Sequence, residues 1–499
     1  MRLDALATEL GARLDGSGTT WVRGVRHDSR AVQPGDAFVA VRGAVDGTQF
    51  VDDAVRHGAV AVIADRPLRA QVPVLVVSDA RLALAHAAEI VYGRPTERLK
   101  VAGITGTNGK TTVSYLLEAM LEQAGHRVAR LGTVGARLPD GRERDASLTT
   151  PEADDLARFC LEALEAGATH LVMEVSSHAL ALHRADGVRF RVGGFTNLTQ
   201  DHLDFHGSFE AYAAAKARLF EALRTEAAAL NVDDPFGAAL ARRVRMPVWT
   251  CSARGEPGAR VRVFEARSGR EGLRGRIQVP GGAIELVSPL IGSHNLENVC
   301  VATGCALALG VTPADVERAL PRAVGAPGRL QRVGAPDESR LVLVDYAHTP
   351  DALARVLEAV RALTPGRLLC VFGCGGDRDR SKRPRMGEAA GRGADLCIVT
   401  SDNPRSEPPH AILDAIVPGL EQTGQPRLSE RALGTASRGY VVVEDRAQAI
   451  GLAVAAAREG DTVLIAGKGH ERWQIVGAER RPFDDVAVAA AALARGGAP

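Results

Sequence analysis

The chain has 499 residues, 45% of them apolar, which exceeds what one ordinary hydrophobic core accommodates and predicts two to four domains. Its 61 Lys and Arg almost cancel 60 Asp and Glu, which excludes the basic surface of a nucleic-acid or anionic-membrane binder and leaves small molecules in clefts as the expected ligands. Asp4 and Glu9 interrupt the stretch where a signal peptide needs an apolar core, and the C-terminal "VAVAAAALA" falls short of the roughly 20 residues of a membrane span, so no membrane insertion is expected. The cysteines (160, 251, 300, 305, 370, 374 and 397) form no Cys-x-x-Cys pair, which predicts reduced core thiols in a cytoplasmic protein and no zinc site.

Short Val-, Ile- and Leu-rich runs alternate with helical stretches along the whole chain, the pattern of an α/β protein with parallel sheets covered by helices. "AVAVIA" (59–64) and "VPVLVV" (72–77) read as strands, and the turn-rich "YGRPTERLK" that follows reads as a linker. From residue 100, "KVAGIT", "HLVMEV" (170–175) and "VGGFTN" (192–197) are predicted strands, each delivering a polar loop. The Gly-rich stretch 265–286 reads as a hairpin-type insertion, and a second boundary is expected in "VGAPGRLQRV" (324–333). Beyond it, "RLVLVDYAHTP", "RLLCVFGCGGDRD", "DLCIVTSDNPR" and "DTVLIAGKGHE" share one design. In each, an apolar strand ends in a Gly- or Pro-containing loop with charged or polar tips, and the carboxyl edge of an open parallel sheet is where ligands bind.

"GITGTNGKTT" (103–112) departs from the usual phosphate loop, because Gly103 and Gly106 straddle the place where its first glycine belongs. Its context is nevertheless the required one: a strand precedes it, and an amphipathic helix closing at Gly125 follows. Backbone N–H groups at the helix start and the Lys110 ammonium are expected to face phosphates, with Thr111 placed for Mg²⁺. Glu174 ends the next strand, and Asp201, His202 and Asp204 follow another, all suited to a divalent metal. In "FEAYAAAKARLF", Phe209, Tyr212, Lys216, Leu219 and Phe220 recur at steps of three and four, so a lysine interrupts an apolar stripe. Two readings stand: Lys216 snorkels to solvent, or it is desolvated, its pKa depressed, and its neutral amine open to CO₂ as a metal-binding carbamate.

Together, "GTNGKTT", "EVSSHAL", "TNLTQDHLDFHG", "YAAAKARLF", "GSHNLENV", "DYAHTPDAL", "GCGGDRDRSKRP" and "DNPR" resemble the Mur ligase family, and the resemblance runs from "HDSRAVQPGDAFVAV" (27–41) to "AGKGHERWQ" (466–474). The loop spacing is that family's Gly-Thr-x-Gly-Lys-Thr variant. The resemblance implies three domains: an N-terminal uridine-binding domain (1–97), a central P-loop, parallel-sheet ATPase domain (98–327) and a C-terminal, Rossmann-like amino-acid-binding domain (328–499). It implies ATP-dependent amide formation through an acyl phosphate. Diaminopimelate, with the meso form favoured, would join the D-glutamate carboxylate of UDP-N-acetylmuramoyl-L-alanyl-D-glutamate in peptidoglycan precursor synthesis. Substrates divided among three domains imply closure about hinges, and the protein is expected to act as a monomer without a nucleic-acid partner.

Roles carry over residue by residue. ATP would lie on Gly106, Thr107, Asn108, Gly109, Lys110, Thr111 and Thr112, with His294, Asn295 and Asn298 at adenine and ribose and Arg329 and Asp345 reaching in from the C-terminal domain. One Mg²⁺ would take Thr111 and Glu174, a second His202 and carbamylated Lys216, which makes Lys110, Lys216 and His202 the catalytic set. Ser29, beside His27 and Arg30, would meet the uridine, and Thr149, Thr150, Ser176 and Arg184 the muramoyl dipeptide. Arg378, Asp402, Asn403, Pro404, Arg405, Gly467 and Glu471 would form the diaminopimelate pocket, where the Arg405 fork can hold a distal carboxylate that lysine lacks. Leu182 stands where relatives often carry Gln, and "RGAVDG" (42–47) is a weaker match to the second uridine contact. The alternatives are a folylpolyglutamate synthetase, a lysine-adding ligase, or a nucleotide-dependent switch without an amino-acid pocket.

Overall fold

The computed structural model describes residues 1–43, 45–146, 148–335 and 339–496. The chain forms two compact units, one of residues 1–264, 276–285 and 297–320, the other of residues 265–275, 286–296 and 321–499.

The first unit opens with a five-stranded sheet in the order Arg13–Asp15, Val74–Val76, Ala61–Ala64, Asp36–Val39, Gly24–Arg26. Only its first strand runs antiparallel to its neighbour. Both runs read as strands are present, trimmed to Ala61–Ala64 and Val74–Val76. The segment expected to be a linker is ordered into a helical turn, Pro95–Arg98, with Pro95 and Thr96 buried. The reason is tertiary: Thr96 Oγ1 donates to buried Glu89 at 2.9 Å, and burial pushes that carboxyl up to about 7.

A larger sheet of twelve strands follows, in which Val261–Gly269, Val248–Ser252, Ala228–Asn231, Arg189–Phe195, Lys100–Thr105, His170–Glu174 and Val128–Gly132 are successive parallel neighbours. Lys100–Thr105 lies centrally, buried on both faces apart from Lys100, as its uninterrupted apolar run requires. Val261–Gly269, Gly272–Val279 and Gly282–Ser288 extend the strand order past Val248–Ser252, so the Gly-rich insertion is three strands rather than one hairpin. The expected helix spans Lys110–Gln123, and Gly125 follows its end at φ 83°, the left-handed position predicted for it.

The second unit is doubly wound. Its six-stranded sheet has the order Gln331–Val333, Leu341–Asp345, Thr462–Ala466, Leu368–Phe372, Leu396–Val399, Gly439–Val442, and all pairs but the first are parallel. The four strands singled out in the sequence are therefore consecutive neighbours, and their loops leave one carboxyl edge. Helices Pro350–Arg361, Lys382–Gly393 and Pro409–Gln422 pack Leu353, Met386 and Ile416 into the core of one face. Arg446–Ala456 and Asp485–Gly496 contribute Ile450 and Ala489 to the other. No helix among the described residues is long and apolar enough to cross a membrane, and all seven cysteines are buried and unpaired.

Candidate active site

The phosphate loop joins Lys100–Thr105 to the helix beginning at Lys110, and two glycines make its path possible. Gly106 stands at φ 144° and Gly109 at φ 87°, backbone regions that L side chains rarely adopt. Space excludes a side chain as well: a Cβ on Gly106 would lie 1.9 Å from Thr196 Oγ1, and one on Gly109 would lie 2.1 Å from Asn298 Oδ1. Thr196 Oγ1 donates to Asn108 O at 2.6 Å and Asn108 N donates to Asn197 Oδ1 at 3.0 Å, so the neighbouring strand's end clamps the loop. Lys110 Nζ turns back over it and donates to Gly106 O (3.0 Å) and Thr107 O (2.9 Å). The result is a helix start, with Lys110 Nζ fixed beside it, of the kind that suits an anion.

Glu174 ends the adjacent strand, and it is 1% exposed. One carboxylate oxygen accepts from Thr111 Oγ1 and Thr133 Oγ1, each at 3.0 Å, and the other from Thr133 N at 2.9 Å. The residues expected to meet the muramoyl dipeptide gather on the same strand end. Thr150 Oγ1 donates to Glu174 O (2.9 Å), Ser176 N donates to Thr150 Oγ1 (3.0 Å), and Thr149 and Thr133 hydroxyls meet at 3.0 Å. Arg184 donates to Thr150 O at 3.2 Å and pairs with Glu152 at 2.8 Å. Thus Thr111, Glu174, Thr149, Thr150, Ser176 and Arg184 form one connected network.

Of the two readings of Lys216, the structure excludes one. On the helix Phe209–Glu221 this lysine is 1% exposed, so it does not snorkel, whereas Phe209, expected in the apolar stripe, is 40% exposed. Its amine donates to Gly106 O at 2.7 Å and lies 4.5 Å from the Tyr212 ring centre. Burial, with Lys110 adding repulsion and Asp201 opposing, holds the amine well below the usual lysine range. Tyr212 OH meets Thr107 Oγ1 at 3.0 Å and is pushed up to about 12, chiefly by burial.

His202 initiates the short helix Leu203–His206 at φ 51°. Its ring lies 4.8 Å from that of His178 and 6.2 Å from that of Tyr212, and its backbone N–H donates to Asp201 Oδ1 at 2.8 Å. Tyr212 is thus the common neighbour of His202 and Lys216. Among the residues expected to meet the uridine, Ser29 Oγ donates to Asp53 at 2.8 Å, Arg30 pairs with Asp28, and His27 Nδ1 lies 2.7 Å from buried Asp154. Among the described residues, His27, Asp154 and Asp155 are the grouping of His, Cys, Asp or Glu whose ligand atoms lie within 4.8 Å of one another. Asn298 is placed against Gly109, while Asn295 donates to Ile291 O at 2.7 Å at the start of the helix His294–Ala308.

In the second unit the strand-end loops converge. Asp345 accepts from Leu330 N and Ala347 N at 2.8 Å each, though burial still raises its pKa, and the Arg329 guanidinium lies 5.0 Å from the Tyr346 ring centre. Asn403 Nδ2 donates to Glu471 at 2.9 Å, and Gly467 approaches Asp402. Arg405, at φ 52°, donates through Nη1 to Gly376 O at 2.7 Å, and its backbone is held by Ile475 O and Gly477 N. A Cβ on Gly375 would lie 2.9 Å from Arg405 Nη1 and 3.7 Å from Arg378 Cγ, so both arginines border that loop. Thr133, Tyr212, Thr196 and Lys468 were not anticipated. Lys468 had a signal, sitting between Gly467 and Glu471, and Tyr212 precedes Lys216 by four residues in the helical stripe, whereas Thr133 and Thr196 join the site only through tertiary pairing.

Comparison with known proteins matches three family models along the chain: "Mur ligase family, catalytic domain" at residues 22–100, "Mur ligase middle domain" at 104–306 and "Mur ligase, glutamate ligase domain" at 328–469. The chain is 45% identical to a UDP-N-acetylmuramoyl-L-alanyl-D-glutamate–2,6-diaminopimelate ligase of Geobacter metallireducens, over 99% of this chain and 98% of that protein. It is 44% identical to the protein of the same name from Gloeobacter violaceus, over 99% and 98%. A solved structure bearing that name superposes with a TM-score of 0.74 at 32% identity, covering 99% of both chains.

Proposed function

The chain belongs to the Mur ligase family, and from that membership we infer that it is an ATP-dependent ligase joining 2,6-diaminopimelate to the D-glutamate carboxylate of UDP-N-acetylmuramoyl-L-alanyl-D-glutamate. The observation that carries this reading is the end-to-end match to relatives that share one name. Residues 1–97, 98–327 and 328–499 are taken as its three domains, a division close to the limits of the three family matches.

A free carboxylate is a poor electrophile. We assign its activation to phosphoryl transfer: a carboxylate oxygen attacks the γ-phosphorus of ATP, the bond to the β,γ-bridging oxygen breaks, and ADP leaves an acyl phosphate. An amine of diaminopimelate then attacks the acyl carbon, inorganic phosphate departs and the amine loses a proton, giving the amide. Lys110 and the amides of the loop hold the phosphates in line and balance the charge that spreads over them, the main form of catalysis for this chemistry. Thr149, Thr150, Ser176 and Arg184 would hold the dipeptide at the end of the Glu174 strand, with Ser29 on the uridine.

The donor set also fits Mg²⁺, since Thr111 Oγ1 and the Glu174 carboxylate are hard oxygen ligands 3.0 Å apart at the loop. A second ion is assigned to His202 and to a carbamate on Lys216, whose buried amine with a lowered pKa has the neutral form that CO₂ requires. When bound, these ions neutralise charge on the transferring phosphoryl group.

The reaction is tested with ¹⁸O in the D-glutamate carboxylate of the sugar dipeptide. One labelled oxygen is expected in the released phosphate, and unlabelled phosphate alongside amide product would end the acyl-phosphate assignment. For the amino acid, Arg405→Ala is expected to raise the diaminopimelate KM by roughly 30-fold or more, because a carboxylate loses a charged, hydrogen-bonded partner. Initial rates across a diamino-acid series measure it; an unchanged KM would remove Arg405 from the pocket.

A further inference from the structure

Lys468 is a buried cation for which the reaction above has no use. It follows Gly467 in the loop after Thr462–Ala466 and is 0% exposed. A buried lysine needs partners, and Nζ has three: Asn403 Oδ1 at 3.0 Å, Glu471 Oε2 at 3.3 Å and Asp402 Oδ1 at 3.5 Å. These are three of the residues assigned to the amino-acid pocket.

The hydrogen bonds fix more than charge. Asn403 Oδ1 accepts from both Lys468 Nζ and Ile475 N (3.0 Å), which determines which way round its amide stands. Its Nδ2 is therefore directed at Glu471 Oε2, 2.9 Å away. Two carboxylates and one ammonium leave the cluster with one net negative charge, enough to receive one ammonium group. Beyond it, Arg446 adds its field to Asp402 and Glu471 but is itself paired with Asp485 at 2.7 Å; Tyr346, with Arg329, Arg378 and His470 around it, and Cys374, with Lys382 and Arg383, are the charged and titratable groups alongside.

We propose that Lys468 is the positioning residue of the amino-acid pocket, aligning Asn403 and Glu471 and setting the cluster's charge so that it accepts the ammonium group of the incoming diamino acid. The proposal rests on the ligase reading and acts through Glu471.

Lys468→Met and the polar Lys468→Gln test it in the full-length protein, each also in an Glu471→Gln background, with thermal melting as the folding control. Both single variants are expected to raise the KM for diaminopimelate by at least about ten-fold, because buried acceptors lose their donor, while KM for ATP and for the sugar dipeptide stays within about two-fold. In the Glu471→Gln background the same changes should add little, as expected when two residues act as one unit. Equal losses for all three substrates, or full additivity with Glu471→Gln, would reduce Lys468 to a fold-stabilising residue and overturn the proposal. Wild-type protein that ligates no diamino acid would instead overturn the reaction itself, and this inference with it.

Discussion

Lys110→Ala abolishes turnover: kcat is expected to fall by at least ~10²–10³, the effect of removing one preorganised charge from a phosphoryl-transfer site. The ammonium is already in place, anchored by Gly106 O and Thr107 O at the mouth of a helix, so the wild-type site needs little reorganisation when the phosphates arrive. The substitution leaves the left-handed glycines and the Thr196 clamp intact, so the fold should persist. Phosphate release measured with ATP, sugar dipeptide and diaminopimelate reads the loss. A variant retaining most of its turnover would remove the phosphate assignment from this loop.

Lys216→Ala is expected to cost a comparable factor, but reversibly. The side chain is buried and lined by Tyr212 and the Gly106 carbonyl, so alanine leaves a small polar space where the carbamate oxygens would lie. Formate or acetate added at tens of millimolar should restore part of the rate by offering those oxygens, an outcome peculiar to a lost anion. Lys110→Ala should show no such rescue. The direction of the Lys216 pKa agrees: an amine held below the lysine range is neutral over more of the pH scale, and only the neutral amine combines with CO₂. If wild-type activity proves indifferent to removal of CO₂ and the variant indifferent to carboxylates, the carbamate is excluded and Lys216 is a cation packed beneath the loop.

What could be read from the chain follows the range of the physics. The phosphate loop was legible because strand, glycines, lysine and helix are contiguous. Lys216 was conspicuous because it breaks a helical stripe, although periodicity could not choose between solvent and burial; the loop carbonyl packed over it does that. The four strand-end loops were legible as a set because their polar tips recur on one pattern. Thr133 carried no comparable signal, since its two bonds to Glu174 depend on strands 41 residues apart lying side by side. The segment around Thr96 looked like a linker because its composition is turn-rich, whereas the buried Glu89 carboxyl and the Arg189 backbone N–H, both bonded to Thr96, account for its order. Likewise Arg446 and Asp485, 39 residues apart and both without exposure, became a pair only when two helices packed on the same face.

The Gly106 carbonyl accepts from Lys110 at 3.0 Å and from Lys216 at 2.7 Å, so one oxygen, with its two lone pairs, serves both amines. Neither amine can change charge or partner without altering what the other meets there. A carbamate on Lys216 would therefore be linked to nucleotide binding: by whatever factor occupancy of the loop shifted the modification, modification would shift nucleotide affinity by the same factor.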